Sequence, residues 1–155
     1  MNGDVKAVFL DTNVLVYANV SESPLHQVAL KTIQAYYDAG VELWLSRQIL
    51  REFMAVLTRP QSFANPRPVS TIIERVRFFE THFRIAEDNF LVTERLLSLL
   101  EQIPIGGNQV HDANIVATMQ VYEIHHLLTH NVSDFNRFSG IITILPLKES
   151  LVLGE

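Results

Sequence analysis

The sequence contains no cysteine. That absence excludes a disulfide framework, a zinc–thiolate site, an iron–sulfur cluster and a cysteine nucleophile. Glycine and proline are sparse, six of each in 155 residues, and there is neither a low-complexity segment nor an internal repeat, so a fibrous fold is excluded. No apolar run approaches the roughly 18–20 residues needed to span a bilayer. The apolar stretch Val5–Leu10 is cut short by Asp11 and does not read as a secretory leader. Positive charge is also in deficit: twelve Lys and Arg stand against seventeen Asp and Glu, a formal net charge of −5, which is not the overall signature of a nucleic-acid binder. The expectation is a cytoplasmic protein forming one domain over residues 1–155.

What is present is an ordinary globular balance, 48% hydrophobic and 19% charged, in a chain long enough to bury a real core. The charge is unevenly placed. Residues 47–77 hold six arginines (47, 51, 59, 67, 75 and 77) against only Glu52 and Glu74, whereas both flanks are net acidic. Such a zone is either a set of solvated helix faces or a rim that contacts phosphates beside an acidic site.

Short apolar runs alternate with helical periodicity. Val5–Leu10, Val41–Leu45, Phe83–Ala86, Leu127–Thr129 and Ile141–Leu145 read as strands. Between them lie a short helix at Val14–Asn19, a helix begun by Ser23-Pro24 and closed by Gly40, and one capped by Ser46 and stopped at Arg59-Pro60. A Thr71–Glu74 capping box then starts a helix running to about Thr81; another is capped by Asp88 and runs through Leu100, and a last one covers His111–Tyr122. Pro60–Pro68 and Ile103–Gln109 read as loops. Strands alternating with helices predict an α/β fold with a parallel sheet covered on both faces. In such sheets ligands bind beyond the carboxyl ends of the strands.

That rule gives four carboxylates a shared meaning. Asp11 ends the first strand, Glu52 lies in the helix after the second, Asp112 opens the late helix, and Asp134 follows the fourth strand. Taken singly, each reads equally as a cap, a turn residue or a surface ion-pair partner. Brought together they repel: two like charges about 4 Å apart cost on the order of 4 kcal/mol at an effective dielectric of ~20. A divalent cation removes that repulsion, and an all-oxygen donor set favours a hard ion, Mg²⁺ or Mn²⁺. The chemistry indicated is metal-assisted phosphodiester hydrolysis.

The local strings add to the spacing. Val8-Phe9-Leu10-Asp11-Thr12-Asn13-Val14-Leu15-Val16-Tyr17-Ala18 resembles the opening motif of PIN domains, especially the VapC-type toxin branch. Ser46–Pro60, Val110–Ala117 and Leu128–Phe135 resemble the second, third and fourth motifs, with their acidic residues on Glu52, Asp112 and Asp134, so the likeness covers about residues 5 to 146 in family order. The resemblance implies a three-layer α/β/α sandwich around a mainly parallel sheet. It also implies a Mg²⁺- or Mn²⁺-dependent ribonuclease that cuts single-stranded or loop RNA, a homodimer, and an antitoxin that inserts a segment into the acidic groove. On that basis Asp11, Asp112 and Asp134 hold the metal and Glu52 orients or deprotonates the attacking water. Thr12, Asn13, Thr129 and Asn131 stand behind them and fix the carboxylates by hydrogen bonds. Some family members place the fourth acid two residues after the threonine, where this chain has Asn131, so either Asn131 or Asp134 completes the set.

Two rival readings follow. One is a catalytically inactive PIN-like module that binds metal or an antitoxin. The other is an aspartyl-phosphate protein; its phosphatase form wants an acid where Asn13 stands, and its receiver form wants a late lysine, for which only Lys148 is available.

Overall fold

The computed structural model describes residues 5–60 and 67–148. Five strands form one sheet: β1 (Ala7–Leu10), β2 (Glu42–Ser46), β3 (Arg84–Ala86), β4 (His126–Thr129) and β5 (Thr143–Pro146). Their order is β3-β2-β1-β4-β5, and every pairing is parallel. Six α-helices accompany them: α1 (Thr12–Asn19), α2 (His26–Asp38), α3 (Arg47–Leu57), α4 (Val69–His82), α5 (Phe90–Gln102) and α6 (Gln109–Val121). A 3₁₀ helix spans Val132–Phe138. The helices pack in two groups, α1 with α2 and α3 with α4 adjoining, and α5 with α6 and the 3₁₀ helix. The result is an α/β/α sandwich.

The burial pattern explains these elements. Val8, Phe9 and Leu10 of the central strand are wholly buried, as expected of a parallel strand covered on both faces. In α6, Ala113 and Ile115–Met119 are all buried, the pattern of an interior helix rather than one with a single apolar stripe. Helix α5 instead buries Val92 and Leu99 and exposes Phe90, Leu91 and Leu97. Among the described residues no helix is long and apolar enough to cross a membrane.

Strand order places the site. From β1 the sheet grows one way through β2 and β3 and the other way through β4 and β5, so its direction of growth reverses between β1 and β4. Ligands in open parallel sheets lodge at such a reversal. Register then fixes the residues there: Leu10 pairs with Leu128, which brings Asp11 beside Thr129, and the Asp11 N–H donates to the Leu128 carbonyl at 3.0 Å.

Several helix starts differ from the sequence expectation. Helix α2 begins at His26, after a turn in which the Ser23 hydroxyl accepts from the Leu25 N–H. Helix α4 begins at Val69, directly after Pro68, so Thr71 lies inside it and the capping box does not form. Asn89, not Asp88, caps α5, accepting from the Val92 N–H at 3.3 Å; the Asp88 carboxylate is turned to Arg51 at 3.8 Å. Gly40 does follow α2, at φ +78. Most of the loop expected at Pro60–Pro68 lies outside the described residues.

Candidate active site

Asp11 is both the end of β1 and the cap of α1. Its Oδ1 accepts from the Thr12 N–H at 2.8 Å. Its Oδ2 accepts from the Thr129 hydroxyl at 2.8 Å and from Asn13 Nδ2 at 3.0 Å. Thr129, fully buried, is itself fixed by the Asn131 N–H at 3.0 Å, and Asn13 Oδ1 accepts from the His130 N–H at 3.0 Å. The segment after β4 is thereby locked to the segment after β1. Burial raises the Asp11 pKa; the donors of Thr129, Thr12 and Asn13 oppose the rise and the charge of Glu52 adds to it.

Glu52 reaches the same place from α3. Ser46 caps that helix, its hydroxyl accepting from the Ile49 N–H, and Glu52 follows in the second turn. Its Oε1 accepts from the Thr12 hydroxyl at 2.6 Å and its Oε2 from Gln48 Nε2 at 2.9 Å. Gln48 also donates to the His111 carbonyl at 2.9 Å and accepts from Asn114 Nδ2 at 2.8 Å. One buried amide thus ties α3 to the first turn of α6, where Asp112 lies.

Asp112 lies in the first turn of α6. Burial, then the charges of Asp11, Asp134 and Glu52, push its pKa up to about 6, with His111 acting in the opposite sense. Asp134 lies in the first turn of the 3₁₀ helix. Asp11, Thr12, Asn13, Glu52, Asp112, Asn131 and Asp134 all line one open cleft of about 460 Å³, together with Val16, Tyr17, Ala55, Val56 and Arg59. Every expected site residue is therefore gathered there except Thr129, which lies buried beneath Asp11.

The donor set suits a hard cation: all its charged members are carboxylates, and they repel one another enough to raise Asp112. Among the described residues, however, no three His, Cys, Asp or Glu side chains form a ready-made metal cage. An ion held by one or two carboxylates, with water completing its shell, matches that arrangement and is the usual habit of Mg²⁺.

The arginine zone resolves differently from a phosphate-binding rim. Arg47 pairs with Glu80 and Glu87, Arg51 with Asp88, Arg67 with Glu22 and Arg77 with Glu80. Arg75 lies over the Phe78 ring. Only Arg59 of the six lines the cleft. Gln48 and Asn114, which brace Glu52 and the first turn of α6, were not anticipated; the one signal for Gln48 was its i, i+4 spacing from Glu52.

A family model described as PIN domain matches residues 8–141. Ribonuclease VapC48 of Mycobacterium tuberculosis is 27% identical over 135 residues, covering 84% of this chain and 91% of the relative. The fold is similar to that of VapBC2 from Rickettsia felis, solved bound to a DNA fragment from its promoter, with a TM-score of 0.66, 16% identity and coverage of 92% and 99% of the two chains. A toxin–antitoxin complex from Klebsiella pneumoniae gives a TM-score of 0.63, 21% identity and coverage of 92% and 98%.

Proposed function

We propose, because the chain belongs to the PIN domain family and gathers four carboxylates in one cleft, that it is a metal-dependent endoribonuclease and the toxin of a toxin–antitoxin pair. The observation that carries the reading is the convergence of Asp11, Glu52, Asp112 and Asp134 on one cleft, where burial and the neighbouring acids push the Asp112 pKa up to about 6, as expected of a site arranged for a cation or a proton. The ribonuclease name of the Mycobacterium relative and the toxin–antitoxin complex among the structural neighbours support the activity and the partner.

Asp11, Asp112 and Asp134 are the residues that would hold Mg²⁺ or Mn²⁺, one or two of them directly and the rest through its waters, with Asn131 the neutral alternative to Asp134. When bound, the ion supplies positive charge to the phosphoryl group and lowers the pKa of water. The rest is the chain's own work. Thr129, Asn13 and the Thr12 N–H hold the Asp11 carboxylate in one rotamer. Thr12 and Gln48 each donate to one oxygen of Glu52, which fixes its carboxyl group in one orientation and leaves lone pairs to orient the attacking water or take its proton. Water oxygen bonds to phosphorus and the bond to O3′ breaks, leaving a 5′-phosphate and a 3′-hydroxyl. A homodimer belongs to the same reading, and the exposed Ile73, Phe90, Leu91 and Leu97 offer apolar surface for it.

The test is cleavage of a labelled single-stranded RNA panel in Mn²⁺, Mg²⁺ or EDTA, with wild type and Asp112→Asn purified identically. Metal-dependent cutting that the variant loses by at least about 100-fold is the expected result. Equal cutting by both proteins, or 2′,3′-cyclic phosphate products, would overturn it. The inactive-module reading draws on the lack of a ready-made three-ligand cage among the described residues; metal binding by a wild type that cuts no RNA would favour it.

A further inference from the structure

The cleft extends beyond its acids. On α1, Val16 and Tyr17 follow Thr12 and Asn13 by one turn. On the α3 side, Ala55 and Val56 follow Glu52 by one turn, and Arg59 lies two residues beyond the end of α3 at Leu57. Helices α1 and α3 pack against each other, so these residues form the two walls of one groove that leads away from the carboxylates. Tyr17 is braced by the His130 ring at 5.5 Å with the planes at 82°. Among the described residues Arg59 is the one cation lining the cleft. Four other arginines of its zone are engaged in ion pairs within the protein, whereas among the described residues none is recorded for Arg59.

We propose that Val16, Tyr17, Ala55, Val56 and Arg59 form a subsite for one nucleotide flanking the scissile bond of single-stranded RNA, its base against the apolar and aromatic wall and its phosphate on Arg59. This rests on the ribonuclease reading. A polyanion entering a cleft of four carboxylates is repelled, and a fixed guanidinium beyond the acids opposes that repulsion along the strand's path while presenting a planar donor fork to a phosphate. An unpaired base has an exposed face that stacks on aromatic and apolar side chains. A duplex, with its bases stacked inside, has no such face to offer.

The experiment measures KM, kcat and salt dependence for an oligoribonucleotide that wild type cuts in Mn²⁺, using Arg59→Gln and Arg59→Lys. A parallel series of substrates carries an abasic nucleotide at each position in turn and needs no variant, so it holds even where a substitution impairs folding. The expected result is a KM raised about 10-fold in Arg59→Gln with kcat within about 3-fold, recovery of most of the loss in Arg59→Lys, and a log–log salt slope reduced by about 0.7. The abasic series is expected to raise KM at one position beside the cut. A folded Arg59→Gln whose KM and salt slope match wild type, or a flat abasic series, would overturn the subsite while leaving the nuclease standing. A wild type that neither cuts nor binds RNA would remove both.

Discussion

Burial and three like charges meet at Asp112, and their sum has a sign that can be tested. Its folded pKa, about 6, lies above the ordinary value of 3.8. Between those values the folded protein binds the proton more tightly than the unfolded chain does. Asp112 therefore adds stability as pH falls through about 6, and that contribution is lost as pH rises again. Other groups act differently. His126, whose pKa is lowered by burial and by His125, destabilises the fold as it is forced to protonate. Glu80 and Glu87, held below the usual carboxylate range by Arg47, lose their contribution only on deeper acidification. The difference between wild type and Asp112→Asn isolates the one residue. In urea unfolding with EDTA, the variant is expected to be the more stable at pH 7.5 by about 1 kcal/mol, a figure reduced for solvent screening of a half-buried group and for the lost carboxylate at a helix N-terminus. The advantage is expected to vanish by about pH 4.5. A difference that does not change with pH would show that the repulsion is not there.

Helix α3 carries Gln48 and Glu52 to the cleft, and its first turn depends on Ser46, a buried cap accepting from the Ile49 N–H at 3.2 Å. Ser46→Ala is expected to cost about 1 kcal/mol by urea unfolding, and to weaken cleavage through Glu52 although residue 46 touches no substrate. A variant as stable as wild type would mean that packing alone fixes the helix. This cap was legible in the sequence because Ser46 directly follows an apolar strand and precedes a clear 3.6 period. The cap of α5 was less so, since Asp88 and Asn89 are adjacent and equally suited to the position; the choice was made by Arg51, a residue from another helix. The capping box at Thr71 failed because Pro68 allows the helix to start three residues earlier. The four acids were legible for the opposite reason: Asp11, Asp112 and Asp134 follow or open an element and Glu52 lies one turn into α3, each in a short local string, and parallel topology brings such positions toward one edge. Gln48 and Asn114 were not, because their roles arise only when α3 meets α6. The arginine zone stayed open between two readings for the same reason, its charges being matched by Glu22, Glu80, Glu87 and Asp88, which are distant in sequence or sit on other elements.

Across the whole molecule, a chain of net charge −5 concentrates four carboxylates where its sheet changes its direction of growth, and this makes the apo fold sensitive to cations in two ways. Any salt screens the general self-repulsion, so a rise in melting temperature with NaCl says nothing about the cleft. A divalent ion lodged between Asp11 and Asp112, as proposed, would bind the folded state alone and would stabilise it by about 2.7 kcal/mol at a concentration one hundred times its dissociation constant. For a domain of this size that corresponds to roughly 5–10 °C. Melting curves in Mg²⁺ or Mn²⁺ at fixed ionic strength are therefore expected to rise and saturate for wild type, and to rise far less for Asp112→Asn and Asp11→Asn. The wild-type rise is expected to shrink below about pH 6, where a proton competes for Asp112. A gain equal to that from matched NaCl, or one kept in full by both variants, would place the ion elsewhere on the acidic surface. The carboxylates of the cleft would then need another account of why the fold holds them together.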